Sequence, residues 1–322
     1  MATSLIVAMA ALGGCGALVD GRADRIEAAA EAAYPPEGRF VEVDGQRVHY
    51  VEAGQGPDLV LIHGASGSTR DFTIGFIDRL TDRYRVIAFD RPGLGYTDRV
   101  SDAFGGPFDT TAESPQQQAA FLKKAADEIG VRRPIVLGHS YGGAVAMAWA
   151  LDQDPAAAVI VSGATEPWPG GLGFLYGLTA SSVGGAAIVP LITAFAGKSQ
   201  VEAALREIFR PNPVPPGYLE RIGWPLTLRR ATFRANARQV DSLRPHVVAM
   251  SERYATLDLP LEIVHGKADE VVPPDIHSEV LAKQVKGAHL VLLDDVGHMP
   301  HHVQPQAVVD AIDRAARRAG LR

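Results

Sequence analysis

Six short apolar runs recur along the chain, and each stops at residues suited to a sharp turn or to chemistry. Leu59 to Ile62 ends in His63-Gly64, Arg85 to Phe89 in Asp90-Arg91-Pro92-Gly93, and Ile135 to Leu137 in Gly138-His139-Ser140. Ala158 to Val161 ends in Ser162-Gly163, Leu261 to Val264 in His265-Gly266, and His289 to Leu293 in Asp294. Short apolar, β-branched runs of this kind are what strands buried on both faces look like. Helical text separates several of them. Ser114-Pro115 reads as an N-cap followed by proline at the first helical position. Gly142 to Leu151 and Gln306 to Ala319 give two further helices. Strands alternating with helices mean an α/β fold with a mainly parallel, doubly wound sheet. Chemistry in such sheets sits at the carboxyl ends of the strands, so the residues after each run are the candidates.

Two stretches depart from this rhythm. Arg39 to Val43 and Arg47 to Glu52 alternate around Asp44-Gly45, which predicts a hairpin at a sheet edge with one solvated face. From Thr165 to Leu259 no strand signal appears, only apolar glycine-rich text and then amphipathic helical text. That segment is expected to be a helical cap over the strand ends. A membrane span over Leu172 to Ala196 is the rival reading, weakened by its glycines and by Pro190. The expected organisation is a leader over 1–36, a core over 37–164 and 260–322, and a cap over 165–259.

The leader carries its own signal. Ser4 to Val19 is apolar and uncharged, but short of the roughly 20 residues of a bilayer-spanning helix. Leu12-Gly13-Gly14-Cys15 resembles a lipoprotein processing site, although no Lys or Arg precedes it. A packed apolar helix is the plainer alternative. The reading favours membrane association or export through residues 4–19 over a cytoplasmic start. A single cysteine excludes an intrachain disulfide framework and a cysteine-based zinc site. A net charge of −6 without a long basic run argues against nucleic acid as a partner.

Gly138-His139-Ser140-Tyr141-Gly142 fits G-x-S-x-G, with a strand before it and a helix after it. On this sharp turn a serine hydroxyl stands clear of the sheet, above the positive end of the following helix. Ser140 is the expected nucleophile, and it needs a base. Of ten histidines, His298 follows the last strand, as the chain order serine, acid, histidine requires. His139, His289, His265 and His63 are expected to serve structure instead. His301 and His302 complete an HMPHH cluster that lacks a matching carboxylate in sequence, so they are expected at the surface and without metal. Asp269, after the next-to-last strand, is the expected acid, ahead of Glu166, Asp294 and Asp295. The backbone N–H groups of Tyr141 and Ala65 are the expected oxyanion donors, with Ser66 a weaker candidate.

HGASGSTRDF, FDRPGLGYTDR, GHSYGGA, HGKADEVVP and VGHMPHH together resemble the α/β-hydrolase superfamily, in its branch with a helical cap. The resemblance covers Glu37 to Arg318. It implies the same assignments for Ser140, Asp269, His298, Ala65 and Tyr141, a structural role for the Asp90 to Gly95 loop, and no cofactor. Epoxide hydrolases and dehalogenases of that superfamily use an aspartate nucleophile, so Ser140 implies acyl chemistry. A lipophilic carboxylic ester is the expected substrate. Carbon–carbon or other acyl hydrolysis is the alternative, because Arg229, Arg230 and Arg234 lie in the cap and could face an acidic substrate. A non-catalytic ligand-binding protein on the same fold is the more distant one.

Overall fold

A computed structural model describes residues 2–171 and 173–322, with side chains described from residue 16 onward. The Leu12 to Cys15 motif therefore lies outside the described side chains. The sheet has eight strands: β1 (Arg39–Val43), β2 (Gln46–Ala53), β3 (Asp58–Ile62), β4 (Arg85–Phe89), β5 (Ile135–His139), β6 (Ala157–Val161), β7 (Leu261–Gly266) and β8 (His289–Leu293). Their order is β1-β2-β4-β3-β5-β6-β7-β8. The β1–β2 and β2–β4 pairs are antiparallel, and every other pair is parallel.

Side-chain alternation divides the core into two. Val60, Ile62, Ile87, Phe89 and Val136 enter one cluster, with the helices Pro115–Glu128 and Tyr141–Asp152. Leu59, Leu61, Val86, Ala88, Ile135 and Leu137 enter the other, with the last helix, Pro305–Arg318. Both faces are covered, which is why the strands read as continuous apolar runs rather than alternating ones. The hairpin departs from expectation in one respect. Of its two strands only β1 lies at an edge, because β2 also pairs with β4, and Val48, His49 and Tyr50 are buried. Alternation in the text of β2 did not report this, since its second neighbour comes from β4.

The chain passes from β3 to β4 on one side and then crosses back to place β5 on the other side of β3. That reversal opens a crevice at the carboxyl ends of β3 and β5, where sheets of this kind bind ligands. Ser114 starts the helix before β5 with a reciprocal cap: its Oγ accepts from Gln117 N–H at 3.1 Å, and Gln117 Oε1 accepts from Ser114 N–H at 2.9 Å.

Between β6 and β7 the described residues form helices and no strand, including Phe174–Ala180, Val189–Phe195, Lys198–Phe209, Arg230–Asp241 and Leu243–Ser251. The apolar text around Leu172 to Ala196 breaks into Phe174–Ala180 and Gly184–Phe195, which bend by 91°. Among the described residues no single helix is long and apolar enough to cross a membrane.

The leader is one helix, Ala2–Ala33. Its polar half is clamped to the insertion. Arg230 pairs with Glu27 at 2.9 Å, with Asp20 at 3.1 Å and with Asp24. Arg229 pairs with Glu31 at 2.9 Å, and Arg22 Nε donates to Ala194 O at 2.6 Å. Arg234 Nε donates to Gly185 O at 2.6 Å. Each of these insertion arginines is thus engaged within the protein, whereas the sequence had left open that they face an acidic substrate. The partners of Arg229 and Arg230 lie about 200 residues away in the leader, where no local pattern points to them.

Candidate active site

The turn at Ser140 rests on strained backbone. Ser140 has φ 54° and ψ −119°, a conformation costly for any residue with a Cβ. The turn is tight enough that a Cβ on Gly138 would strike the Gly142 carbonyl, and one on Gly142 would strike that of Ile62. Glycine at both places is therefore a steric requirement of this turn.

Three side chains meet in order. His298 Nε2 lies 2.9 Å from Ser140 Oγ, and His298 Nδ1 lies 2.8 Å from Asp269 Oδ2. All three residues are buried. Asp269 Oδ1 accepts from the N–H groups of Val271 and Val272, both at 2.9 Å. Burial by itself would raise the Asp269 carboxyl; His298 and the hydrogen bonds from His265 and His298 outweigh it and hold the group well below the usual carboxylate range. His265 supports this arrangement from behind. Its Nε2 is 3.0 Å from Asp269 Oδ2 and 2.8 Å from Val272 O, while Ser278 Oγ lies 2.6 Å from its Nδ1. The rival carboxylates are elsewhere. Glu166 donates its N–H to His277 Nδ1, its carboxyl meets Gln284 at 3.5 Å, and Asp294 pairs with Lys267. Asp295 offers its backbone carbonyl to Asn212.

Tyr141 N–H is at the first position of the elbow helix, where helices leave donors free. Among the described residues no hydrogen bond uses Ala65 N–H. Ser66 is engaged instead: its N–H donates to Asn236 Oδ1 at 2.6 Å, and its Oγ accepts from Asn236 Nδ2 at 3.0 Å. Sequence reasoning missed Asn236, which reaches this loop from the insertion helix Arg230–Asp241.

It also missed how the loop after β3 is held. Arg91 N–H donates to His63 Nε2 at 2.9 Å, leaving His63 Nδ1–H for Gly64 O, also at 2.9 Å. Burial, helped by Arg91, lowers His63 to about 4, so the ring is neutral in that role. Arg91 Nη1 donates to Gly64 O at 3.1 Å, and its guanidinium lies 3.9 Å from the Tyr141 ring centroid. Burial lowers Arg91 to about 10, and it raises the Tyr141 phenol to about 12. Asp90 is a hub for the same region, accepting from Thr69 N–H at 2.7 Å and Tyr96 N–H at 2.8 Å and meeting His49 Nδ1 at 2.7 Å.

The HMPHH cluster is not at the surface. The side chains of His301 and His302 are 0% and 5% exposed. The carboxylate absent from their sequence neighbourhood is Asp71, 3.1 Å from His301 Nε2 and 2.9 Å from His302 Nε2. His139 belongs to the same cluster, with its Nε2 2.9 Å from His298 O.

A hydroxyl, an imidazole and a carboxylate in this sequence can pass a proton from the hydroxyl to the ring and stabilise the charge that results. Such a site at the carboxyl ends of this sheet defines a hydrolase. The chain belongs to the alpha/beta hydrolase family, whose model matches residues 59–311. An uncharacterised protein of Mycobacterium tuberculosis is 26% identical over 292 residues, covering 87% of this chain and 81% of that protein. A thermophilic esterase from Thermogutta terrifontis shares the fold with a TM-score of 0.68 at 19% identity, over 88% of this chain and 99% of the esterase. A bacterial membrane phospholipase A does so with a TM-score of 0.65 at 22% identity, over 97% of this chain and 98% of its own.

Proposed function

We propose that the protein is a serine esterase that cleaves a lipophilic carboxylic ester through an acyl-enzyme. The observation that carries this reading is the unbroken line Ser140 Oγ, His298, Asp269, at 2.9 and 2.8 Å. His298 Nε2 takes the Ser140 proton as Oγ bonds to the ester carbonyl carbon. The carbonyl oxygen becomes an oxyanion held by Ala65 and Tyr141 N–H. The intermediate collapses, the ester C–O bond breaks, and the alcohol leaves with the proton from His298. Water then repeats the cycle: His298 takes its proton, hydroxide adds to the acyl carbon, and Ser140 leaves reprotonated with the acid released. Asp269 holds the ring and stabilises its charged form throughout. These groups complete the cycle without a cofactor.

Serine at the elbow supports acyl transfer over the alkyl-enzyme chemistry that an aspartate would run. The pairing of Arg229 and Arg230 with the leader removes the feature that had supported an acidic carbon–carbon substrate. The lipophilic preference is supported by the outer surface. Phe174 is 84% exposed, and Leu175, Val183, Leu191 and Phe195 are exposed near it in sequence. The leader packs against Val189–Phe195, which places its helix beside this surface. A membrane is the partner that such a surface suits, and it would supply the substrate. The named activities of the esterase and the phospholipase A accord with this reading.

Hydrolysis of p-nitrophenyl esters of graded chain length tests it. Turnover that rises with acyl length and vanishes in Ser140→Ala is expected. Turnover of a dienol ketone with none of the esters would install carbon–carbon hydrolysis instead, and no turnover of either would favour a binding protein.

A further inference from the structure

We propose that Asp71, His301 and His302 form a structural site for one zinc-like transition-metal dication, with His139 facing it from the elbow. The three donors come from two short helices, Arg70–Thr73 and Pro300–Val303, and their ligating atoms all lie within 4.8 Å of one another. The Asp71 carboxylate is 3.1 Å from His301 Nε2 and 2.9 Å from His302 Nε2. Tetrahedral zinc with bonds of about 2.0–2.1 Å sets its ligands roughly 3.3 Å apart. Both carboxylate–imidazole separations fall within a few tenths of an ångström of that spacing. Two imidazoles and one carboxylate suit zinc, whereas calcium wants six to eight oxygens.

His139 supplies the independent observation. Its Nε2–H points at His298 O, 2.9 Å away, which leaves Nδ1 as a bare lone pair. That atom is buried without a hydrogen-bond partner and lies 3.8 Å from Asp71 Oδ2. Two acceptors face each other across a buried gap, and a cation between them turns repulsion into attraction. The carboxylate is oriented by Tyr218, whose hydroxyl donates to Oδ1 at 2.8 Å, as outer partners of metal ligands commonly do. On binding, each ligating ring carries its proton on Nδ1 instead of Nε2, so the imidazoles stay neutral. Burial of every donor marks the site as structural rather than catalytic. The ion would tie together the segment after the Gly64 to Ser66 loop, the elbow through His139, and the loop of His298.

The full chain in detergent, stripped with a chelator and titrated with zinc chloride against a chromogenic competitor, tests this. Expected are one zinc per chain, a raised melting temperature, and affinity at least about tenfold weaker in His302→Ala. His302→Ala is preferred to Asp71→Asn, which removes the hub of the cluster, and its circular dichroism checks folding. His298→Ala and His289→Ala should bind as the parent does. The proposal is overturned if the folded, stripped chain takes no zinc at micromolar free metal. It is equally overturned if His302→Ala binds unchanged, or if the ion is lost with His298 or His289. The readout is metal content, so it stands apart from any failure of the esterase reading.

Discussion

Asp269 and Glu166 both follow strands next to the elbow's neighbours, and their surroundings assign them different work. Asp269 accepts two backbone N–H groups and is ionised against His298. Asp269→Asn should keep the fold and lower kcat by on the order of 10⁴. A mild loss, with a large one in Glu166→Gln, would exchange their roles. Glu166 is pushed up to about 7 by burial, which Gln284 only partly offsets. Its folded state therefore binds a proton more tightly than the unfolded chain does. Stability should fall as pH rises from the carboxylate's ordinary range through about 7. Glu166→Gln should flatten that fall in denaturant melts between pH 5 and 8; an unchanged slope contradicts the assignment. Ser140, His298 and Asp269 were legible in the sequence because each follows the carboxyl end of a strand run, where the fold places chemistry. Asp71 was not, because it meets His301 and His302 across 230 and 231 residues, where spacing carries no signal.

The element that most changes the account is the insertion helix Arg230–Asp241. One side grips the leader through Arg230, and Asn236 holds Ser66 beside the Ala65 N–H. Its neighbour Gln239 donates to Pro92 O at 2.8 Å, in the loop that carries Arg91. The insertion thus holds the loop after β3, which carries the proposed oxyanion donor Ala65 N–H. Asn236→Ala should lower kcat by up to about 100-fold with little change in KM, since a displaced donor is felt in the transition state. A rise in KM alone would make Asn236 a substrate contact instead. Six strands were readable from short apolar runs, and the hairpin strands β1 and β2 from alternation around Asp44-Gly45. The order of the insertion's helices was not, because amphipathic text records a buried face without naming its partner. The same limit explains Arg229 and Arg230, whose acidic partners sit in the leader.

Across the whole molecule, the insertion carries an apolar exterior, with Phe174, Leu175, Val183, Leu191 and Phe195 exposed. If that exterior lies on a bilayer, the full chain should float with phosphatidylcholine vesicles. Phe174→Ser, Leu175→Ser and Val183→Ser together should reduce flotation while hydrolysis of a short soluble ester persists; unchanged flotation would leave the leader as the sole anchor. The account as a whole depends on Ser140 being an activated nucleophile under His298 and Asp269. The most direct measurement is intact-protein mass spectrometry after treatment with a fluorophosphonate. One covalent adduct on Ser140, absent in Ser140→Ala and greatly slowed in His298→Ala, is the predicted result. An unlabelled parent protein, or labelling that survives Ser140→Ala, would contradict it.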